Sequence, residues 1–451
     1  MTKSFPRILI AGTSSGSGKT TAVCALLTLL KRRGIGVTAC KCGPDYIDPM
    51  FHESVLGIPS ANLDPFFCDG NLLRYLLAAS GDELSVIEGV MGYYDGTGAD
   101  GMDNSTFTVA QKTDTPVILV VNAKGASTSL LAVIEGFLHF QTDSRICGVL
   151  FNNITAMTYA NLKKQMEARF GDTVKAVGYI PKLPDDCILG SRHLGLITAS
   201  EIGDLQAKLD KIADLCSDTM DVDVILEIAD TAKPLTYEKA ELPAFAPIRL
   251  AVAKDAAFCF YYKDTLRLFE KIGAELTYFS PLANEPIPEY ADGLLLGGGY
   301  PELYADMLEQ NEMTRESIRH AIENGLPTIA ECGGFQYLGH TLDGRKMCGV
   351  LPHDSTKTGK LVRFGYVTLT AKNDGLFGDA GATLRAHEFH YYDSTDNGNA
   401  FTAVKANGRS WECVQYTDML YAGYPHLFLP ANLQAAEIFY RKCLAYKEKK
   451  V

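Results

Sequence analysis

Long apolar runs, basic runs and low-complexity tracts are all missing from this 451-residue chain, and each absence excludes a class of protein. No stretch approaches the roughly 18 consecutive apolar residues that a membrane span needs, so no membrane partner is expected. No cluster of lysine and arginine marks a nucleic-acid surface, and a formal charge of −12 disfavours a phosphate backbone, so no nucleic-acid partner is expected either. The opening Met-Thr-Lys-Ser-Phe-Pro-Arg has neither the apolar core nor the cleavage pattern of a signal peptide. Internal repeats are absent. Twelve cysteines lie mostly within apolar stretches, which fits reduced thiols in a cytoplasm rather than a disulfide framework.

What is present is a globular composition, 47% hydrophobic and 21% charged, in a chain long enough for two domains. Short β-branched runs alternate with longer helical patterns, the signature of α/β architecture with parallel sheets. Strands are expected at 7–11, 36–40, 84–87, 116–121 and 146–151, with a helix over 19–33. Pro234, Pro243 and Pro247 place a linker at 231–247. A second set follows: strands at 248–253, 275–279, 293–296 and 328–331, and helices near 262–272 and 311–324. The chain therefore divides into 1–230, a linker, and 248–451, each half a doubly wound α/β domain. A homodimer is the assembly expected if the chain oligomerises.

Gly-Thr-Ser-Ser-Gly-Ser-Gly-Lys-Thr-Thr (12–21) joins a strand to a helix, where backbone N–H groups and the helix N-terminus can cradle phosphates. Gly12, Ser17, Gly18, Lys19, Thr20 and Thr21 form that cradle; Lys19 reaches the β/γ oxygens and the Thr20 hydroxyl can join Mg²⁺. Five residues separate Gly12 from Gly18, one more than in the commonest loop. The loop also lacks the early lysine of partition-type ATPase switches. Two acidic segments follow strand ends: Lys41-Cys-Gly-Pro-Asp45-Tyr-Ile-Asp48, and Glu88-Gly-Val-Met-Gly-Tyr-Tyr-Asp95. Asp beside Gly or Pro is often an ordinary turn residue. Acids after two strands, beside a Gly-rich loop, favour metal and phosphate chemistry instead.

In the second half, Cys332 sits where a strand turns into a helix beside Gly333 and Gly334, a turn that exposes the sulfur and sets it at a helix N-terminus. Cys24, Cys147, Cys216 and Cys259 read as small buried hydrophobes, and Cys40 with Cys42 has no matching pair for a metal. Gly297-Gly298-Gly299 ends another strand and can aim backbone N–H groups at an oxyanion. The base must come from elsewhere in the chain: His426 is the first candidate, with His387 and His390 as competitors that read better as pocket or structural residues.

Together these segments resemble the cobyrinate a,c-diamide synthase family over nearly the whole chain. Arg192-His193-Leu-Gly-Leu, Phe-Ser-Pro-Leu (279–282) and His387-Glu-Phe-His390-Tyr belong to the same match. The resemblance implies a dethiobiotin-synthetase-like P-loop domain followed by a class I glutamine amidotransferase domain, with ATP, L-glutamine and a tetrapyrrole such as cobyrinic acid as substrates. It implies Cys332 as nucleophile and His426 as proton shuttle. It puts Lys19, Thr20, Asp45 and Glu88 in phosphate and Mg²⁺ roles, Lys41, Asp48 and Asp95 near the reacting carboxylate, and Asn152 near the adenine.

Two departures stand out. Leu427 and Phe428 follow His426, so the His-x-Glu carboxylate is missing and a Cys–His dyad is expected; Asn122 replaces a usual aspartate. The alternatives are nickel sirohydrochlorin or hydrogenobyrinic acid as macrocycle, a partition-type switch, and a free-standing glutaminase. Arg192, His193, His387 and His390 either line a tetrapyrrole pocket or tie the domains together.

Overall fold

The computed structural model describes residues 1–81, 83–98, 101–189 and 199–450, the side chains of 199–202 excepted. These fall into two compact units, Met1–Lys239 and Ala240–Val451.

The first unit is built on a seven-stranded, wholly parallel sheet. Its order is Ser60–Leu63, Val37–Cys42, Leu84–Glu88, Arg7–Gly12, Val117–Asn122, Ile146–Asn152 and Lys175–Ile180. Ile8, Leu9, Val86, Ile87, Ile118 and Leu119 are wholly buried, as strands covered on both faces must be. The strand order reverses around the central Arg7–Gly12, so the loop leaving its carboxyl end opens onto the crevice where such sheets bind ligands. The following helix, Lys19–Arg32, buries Val23, Leu26, Leu27 and Leu30 against this sheet. Part of the proline-marked segment belongs here: Leu235–Thr236 pairs antiparallel with Thr2–Lys3.

The second unit holds a six-stranded sheet ordered Ala274–Phe279, Ile248–Ala253, Gly293–Leu296, Thr328–Glu331, Leu420–Gly423 and Gln415–Tyr416, parallel except for the last. A separate five-stranded antiparallel sheet adds Ser410–Cys413, Phe401–Val404, Arg363–Ala371, Thr383–His390 and His426–Leu427. Sequence reading did not anticipate this second sheet. Its half-buried strands alternate inward and outward residues, a weaker signal than the apolar runs of a parallel core. The chain crosses from one sheet to the other between Gly423 and His426, which carries the histidine to the carboxyl end of the Thr328–Glu331 strand.

All twelve cysteines are free thiols. Cys24 and Cys216 are buried as expected, whereas Cys147 and Cys259 are only half-buried. Among the described residues no helix is long and apolar enough to cross a membrane.

Candidate active sites

Each unit carries a site at the carboxyl ends of its parallel strands. In the first, Gly18 caps the Lys19–Arg32 helix with φ 101°, a left-handed conformation that favours glycine. A Cβ there would lie 2.1 Å from Asn152 Nδ2. Asn152, at the end of its own strand, donates from Nδ2 to the Ser17 carbonyl (2.9 Å) and so pins the loop. Lys19 Nζ lies back along the loop, donating to the carbonyls of Met91 (2.5 Å) and Ser14 (3.2 Å). Burial lowers the pKa of its ammonium and Lys41 adds repulsion, while Glu88, Asp95 and Asp48 work in the other direction.

A buried charge network lies beside the loop. Glu88 Oε1 accepts from the Thr20 hydroxyl (2.7 Å) and from Lys41 Nζ (3.0 Å), and Lys41 also pairs with Asp48. His52, fully buried, sets Nε2 3.6 Å from Glu88 Oε2 and Nδ1 3.2 Å from Ser60 Oγ. Burial opposes the charge on Glu88, but Lys41, then His52 and Thr20, outweigh it and hold the pKa well below the usual carboxylate range. Asp48 is pushed up to about 8, by burial first and by Glu88 second. Two carboxylates thus compete for one ammonium, and the one with the additional donors keeps the charge. Lys41 stays cationic: its carboxylate partners more than offset its burial.

The other expected residues make their hydrogen bonds outside this network, though Asp45 is close enough to act on the charges of Lys41 and Asp48. Asp45 Oδ1 accepts the Ile47 N–H (2.8 Å) and Asp95 Oδ2 the Gly92 N–H (2.8 Å), so each closes its own turn. Thr21 lies half-buried on the first turn of the helix, and Gly12 packs so tightly that a Cβ would meet Ser17 Oγ at 2.2 Å. Asn122 is exposed and accepts from Lys124 N (3.1 Å). Among the described residues no group of three or more His, Cys, Asp or Glu side chains is arranged to hold a metal by itself. Ser17 Oγ and Glu88 Oε2 are, however, buried without a hydrogen-bond partner. These suit a site completed by phosphate oxygens and a cation. His52 escaped the sequence reading because a lone histidine within a short helix carries no spacing signal.

The second site centres on Cys332, whose backbone is held at φ 48°, ψ −100° on the turn into helix Gly333–Leu338. Cys332 N–H donates to Gly423 O (2.8 Å), and Gly334 N–H to Gly297 O (3.0 Å), which locks the thiol turn against the triple-glycine turn. Gly298 needs its hydrogen: a Cβ there would lie 2.5 Å from His426 Cε1. A Cβ on Gly333 would lie 3.2 Å from Gly299 N, so that backbone amide stands beside the thiol turn. His426 lies close enough to Cys332 for the two to share a proton, and its Nδ1 lies 3.4 Å from Glu331 Oε2. Burial works against an imidazolium here, but Cys332 and Glu331 outweigh it and raise His426 to about 10.

The competing histidines line the same neighbourhood without facing the thiol. His387 is the cross-strand partner of His426 and sits edge-on to Tyr366. Its pKa is pushed down to about 3, by burial first and by His426 second. His390 stacks on Tyr424 at 3.8 Å, with Nδ1 2.6 Å from Tyr392 O. Arg192 and His193 lie outside the described residues.

A parallel P-loop unit followed by a cysteine–histidine α/β unit defines a nucleotide-binding protein joined to a glutamine amidotransferase. Family models agree: residues 8–197 match the CobQ/CobB/MinD/ParA nucleotide binding domain, and residues 249–433 the CobB/CobQ-like glutamine amidotransferase domain. Cobyrinate a,c-diamide synthase of Listeria innocua is 40% identical, with 94% of this chain and 97% of the relative covered. The proteins of the same name from Thermoplasma volcanium (37% identical, 99% of both chains) and Priestia megaterium (35%, 98% of both) extend the likeness. The chain belongs to the cobyrinate a,c-diamide synthase family.

Proposed function

We propose that this chain amidates the a and c acetate side chains of cobyrinic acid, using ATP and glutamine, as a step of cobalamin biosynthesis in the cytoplasm. The observation that carries the reading is the pairing of buried His426 with Cys332, beside Gly298 and Glu331, in a chain that also holds a phosphate loop tied to buried Glu88 and Lys41.

In the second unit His426 holds the proton of the thiol as an imidazolium, and the Cys332 sulfur attacks the side-chain amide carbon of glutamine. The N–H groups of Gly298 and Gly299 are our candidates for stabilising the oxyanion. His426 returns the proton to the departing nitrogen, ammonia leaves, and water hydrolyses the thioester with His426 as base.

In the first unit the loop amides from Gly12 to Thr21 and Lys19 hold the ATP phosphates, and Asn152 borders the base. Lys41, with Asp48 and Asp95, positions the substrate carboxylate. That carboxylate attacks the γ-phosphorus and releases ADP; ammonia then displaces phosphate from the acyl phosphate. A magnesium ion held through Thr20, Glu88 and Asp45 would neutralise charge on the phosphate oxygens.

Mass spectrometry of the amidated product tests this. Cobyrinic acid, hydrogenobyrinic acid and nickel sirohydrochlorin are each supplied with ATP, Mg²⁺ and glutamine, or with ammonium in place of glutamine, to wild type and to Cys332→Ala. Diamidation of cobyrinic acid that Cys332→Ala loses with glutamine and regains with ammonium is the expected outcome. Diamidation of nickel sirohydrochlorin alone would change the macrocycle but keep the mechanism; no product from any of the three would overturn the assignment.

A further inference from the structure

The residue after next to His426 is Phe428, a buried aromatic against Tyr262 at 5.3 Å, so the sequence leaves the imidazole with no downstream carboxylate. The fold supplies one from the opposite direction. Glu331 is the last residue of the Thr328–Glu331 strand and the immediate neighbour of Cys332. Its carboxylate is fixed at one end, where Oε1 accepts the Leu427 N–H at 3.0 Å. The other end, Oε2, stands 3.4 Å from His426 Nδ1.

Two consecutive residues therefore hold one ring between them: Glu331 faces Nδ1, and Cys332 acts on the same imidazole. The positive φ at Cys332 makes this geometry available. In an extended strand, neighbouring side chains point to opposite faces; the break at φ 48° brings the sulfur and the carboxylate around a single histidine.

The surroundings strengthen the pair. The imidazole side chain is 4% exposed and the carboxylate side chain 14%. A small, mostly apolar cavity lined by Tyr261, Thr265, Gly297, Ile329 and Leu429 lies against Glu331. Charges that meet in so little water interact more strongly than they would at a surface. Among the described residues, a further titratable group facing His426 is His387 on the adjoining strand; the Tyr421 hydroxyl donates to Pro425 O at 3.2 Å.

We propose that Glu331 is the positioning carboxylate of the glutaminase site, holding His426 in its Nδ1–H tautomer so that Nε2 faces the Cys332 thiol. The site is then a Cys–His–Glu triad whose acid precedes the nucleophile instead of following the histidine, and the dyad expected from sequence is incomplete. The inference rests on the glutaminase reading of Cys332. Glu331 does not touch glutamine; it acts through the imidazole, as an orienting acid does in hydrolases with the same division of roles.

The test is the pH profile of ammonia release from glutamine by wild type, Glu331→Gln and Cys332→Ala, with ammonium-driven amidation measured alongside. Glutamine retains an acceptor for the Leu427 N–H while removing the charge. Glu331→Gln is expected to lower glutamine-dependent kcat about 100-fold or more. It should also move the alkaline limb, set by loss of the imidazolium proton, down by about one pH unit or more. Ammonium-driven amidation should persist.

An alkaline limb that stays in place, with kcat within about threefold of wild type, would overturn the proposal. If Glu331→Gln loses ammonium-driven amidation too, the fold has failed and Glu331→Asp decides. That variant keeps the charge and should keep the wild-type limb at reduced kcat, and a limb displaced downward as far as predicted for glutamine would sink the idea. Glutamine hydrolysis that survives in Cys332→Ala would overturn the functional reading itself, which separates the two failures.

Discussion

The Thr20 hydroxyl, on the first turn of the loop-borne helix, donates to Glu88 at the end of a neighbouring strand across 2.7 Å. The same carboxylate oxygen takes Lys41, so one side chain bonds both the loop-borne helix and the acidic cluster. On the proposed function, phosphate binding and carboxylate activation would be tied through this single buried side chain.

Glu88→Gln should separate the two activities. Lys41 would retain Asp48, and Asp48, freed of the repulsion that Glu88 contributes, would take over the negative charge. Amidation should fall about 100-fold or more with either glutamine or ammonium as nitrogen source. Hydrolysis of glutamine by the second unit should continue, and a paired assay of product and glutamate reads both.

Gly298→Ala addresses the thiol site from the other side. The added methyl would lie 2.5 Å from His426 Cε1, closer than any real contact, so the ring must shift. A displacement of that size in a proton-transfer pair should cost about 100-fold in glutamine-dependent kcat. Ammonium-driven amidation is the control, and steady-state kinetics with each nitrogen source measures the difference.

His353 predicts a pH dependence of stability. The side chain is fully buried with its ring 4.2 Å from that of Phe335, and burial pushes its pKa from 6.5 down to about 4. The unfolded chain therefore binds this proton first. The stability that the neutral ring contributes is intact above about pH 6.5 and declines as the pH falls toward 4. At pH 5 the loss is about 2 kcal/mol. Urea unfolding of wild type and His353→Met at pH 7.5 and pH 5 should show this extra loss in the wild type alone.

Much of the architecture was legible in the chain because parallel strands buried on both faces write themselves as apolar runs. The expected strand at 146–151 is found as Ile146–Asn152, and the expected helix at 19–33 as Lys19–Arg32. The antiparallel sheet of the second unit was not legible, since strands such as Thr383–His390 bury only every other residue. Cys332 and His426 could be picked out from a Gly-rich turn and a histidine in an apolar stretch. His52 and Glu331 could not: what each does depends on a partner far away in sequence or on an unusual turn.

By itself the sequence determined the class of chemistry, because a phosphate loop and a glycine-flanked cysteine are local devices whose backbone requirements are spelled out by adjacent residues. Only the tertiary structure decided how the charges are shared. Whether Glu88 or Asp48 keeps its proton, and which carboxylate faces His426, follow from distances of a few ångströms between strands brought together from different parts of the chain. Electrostatic interactions in buried sites depend on those distances and on the exclusion of water, neither of which is written in the order of the residues.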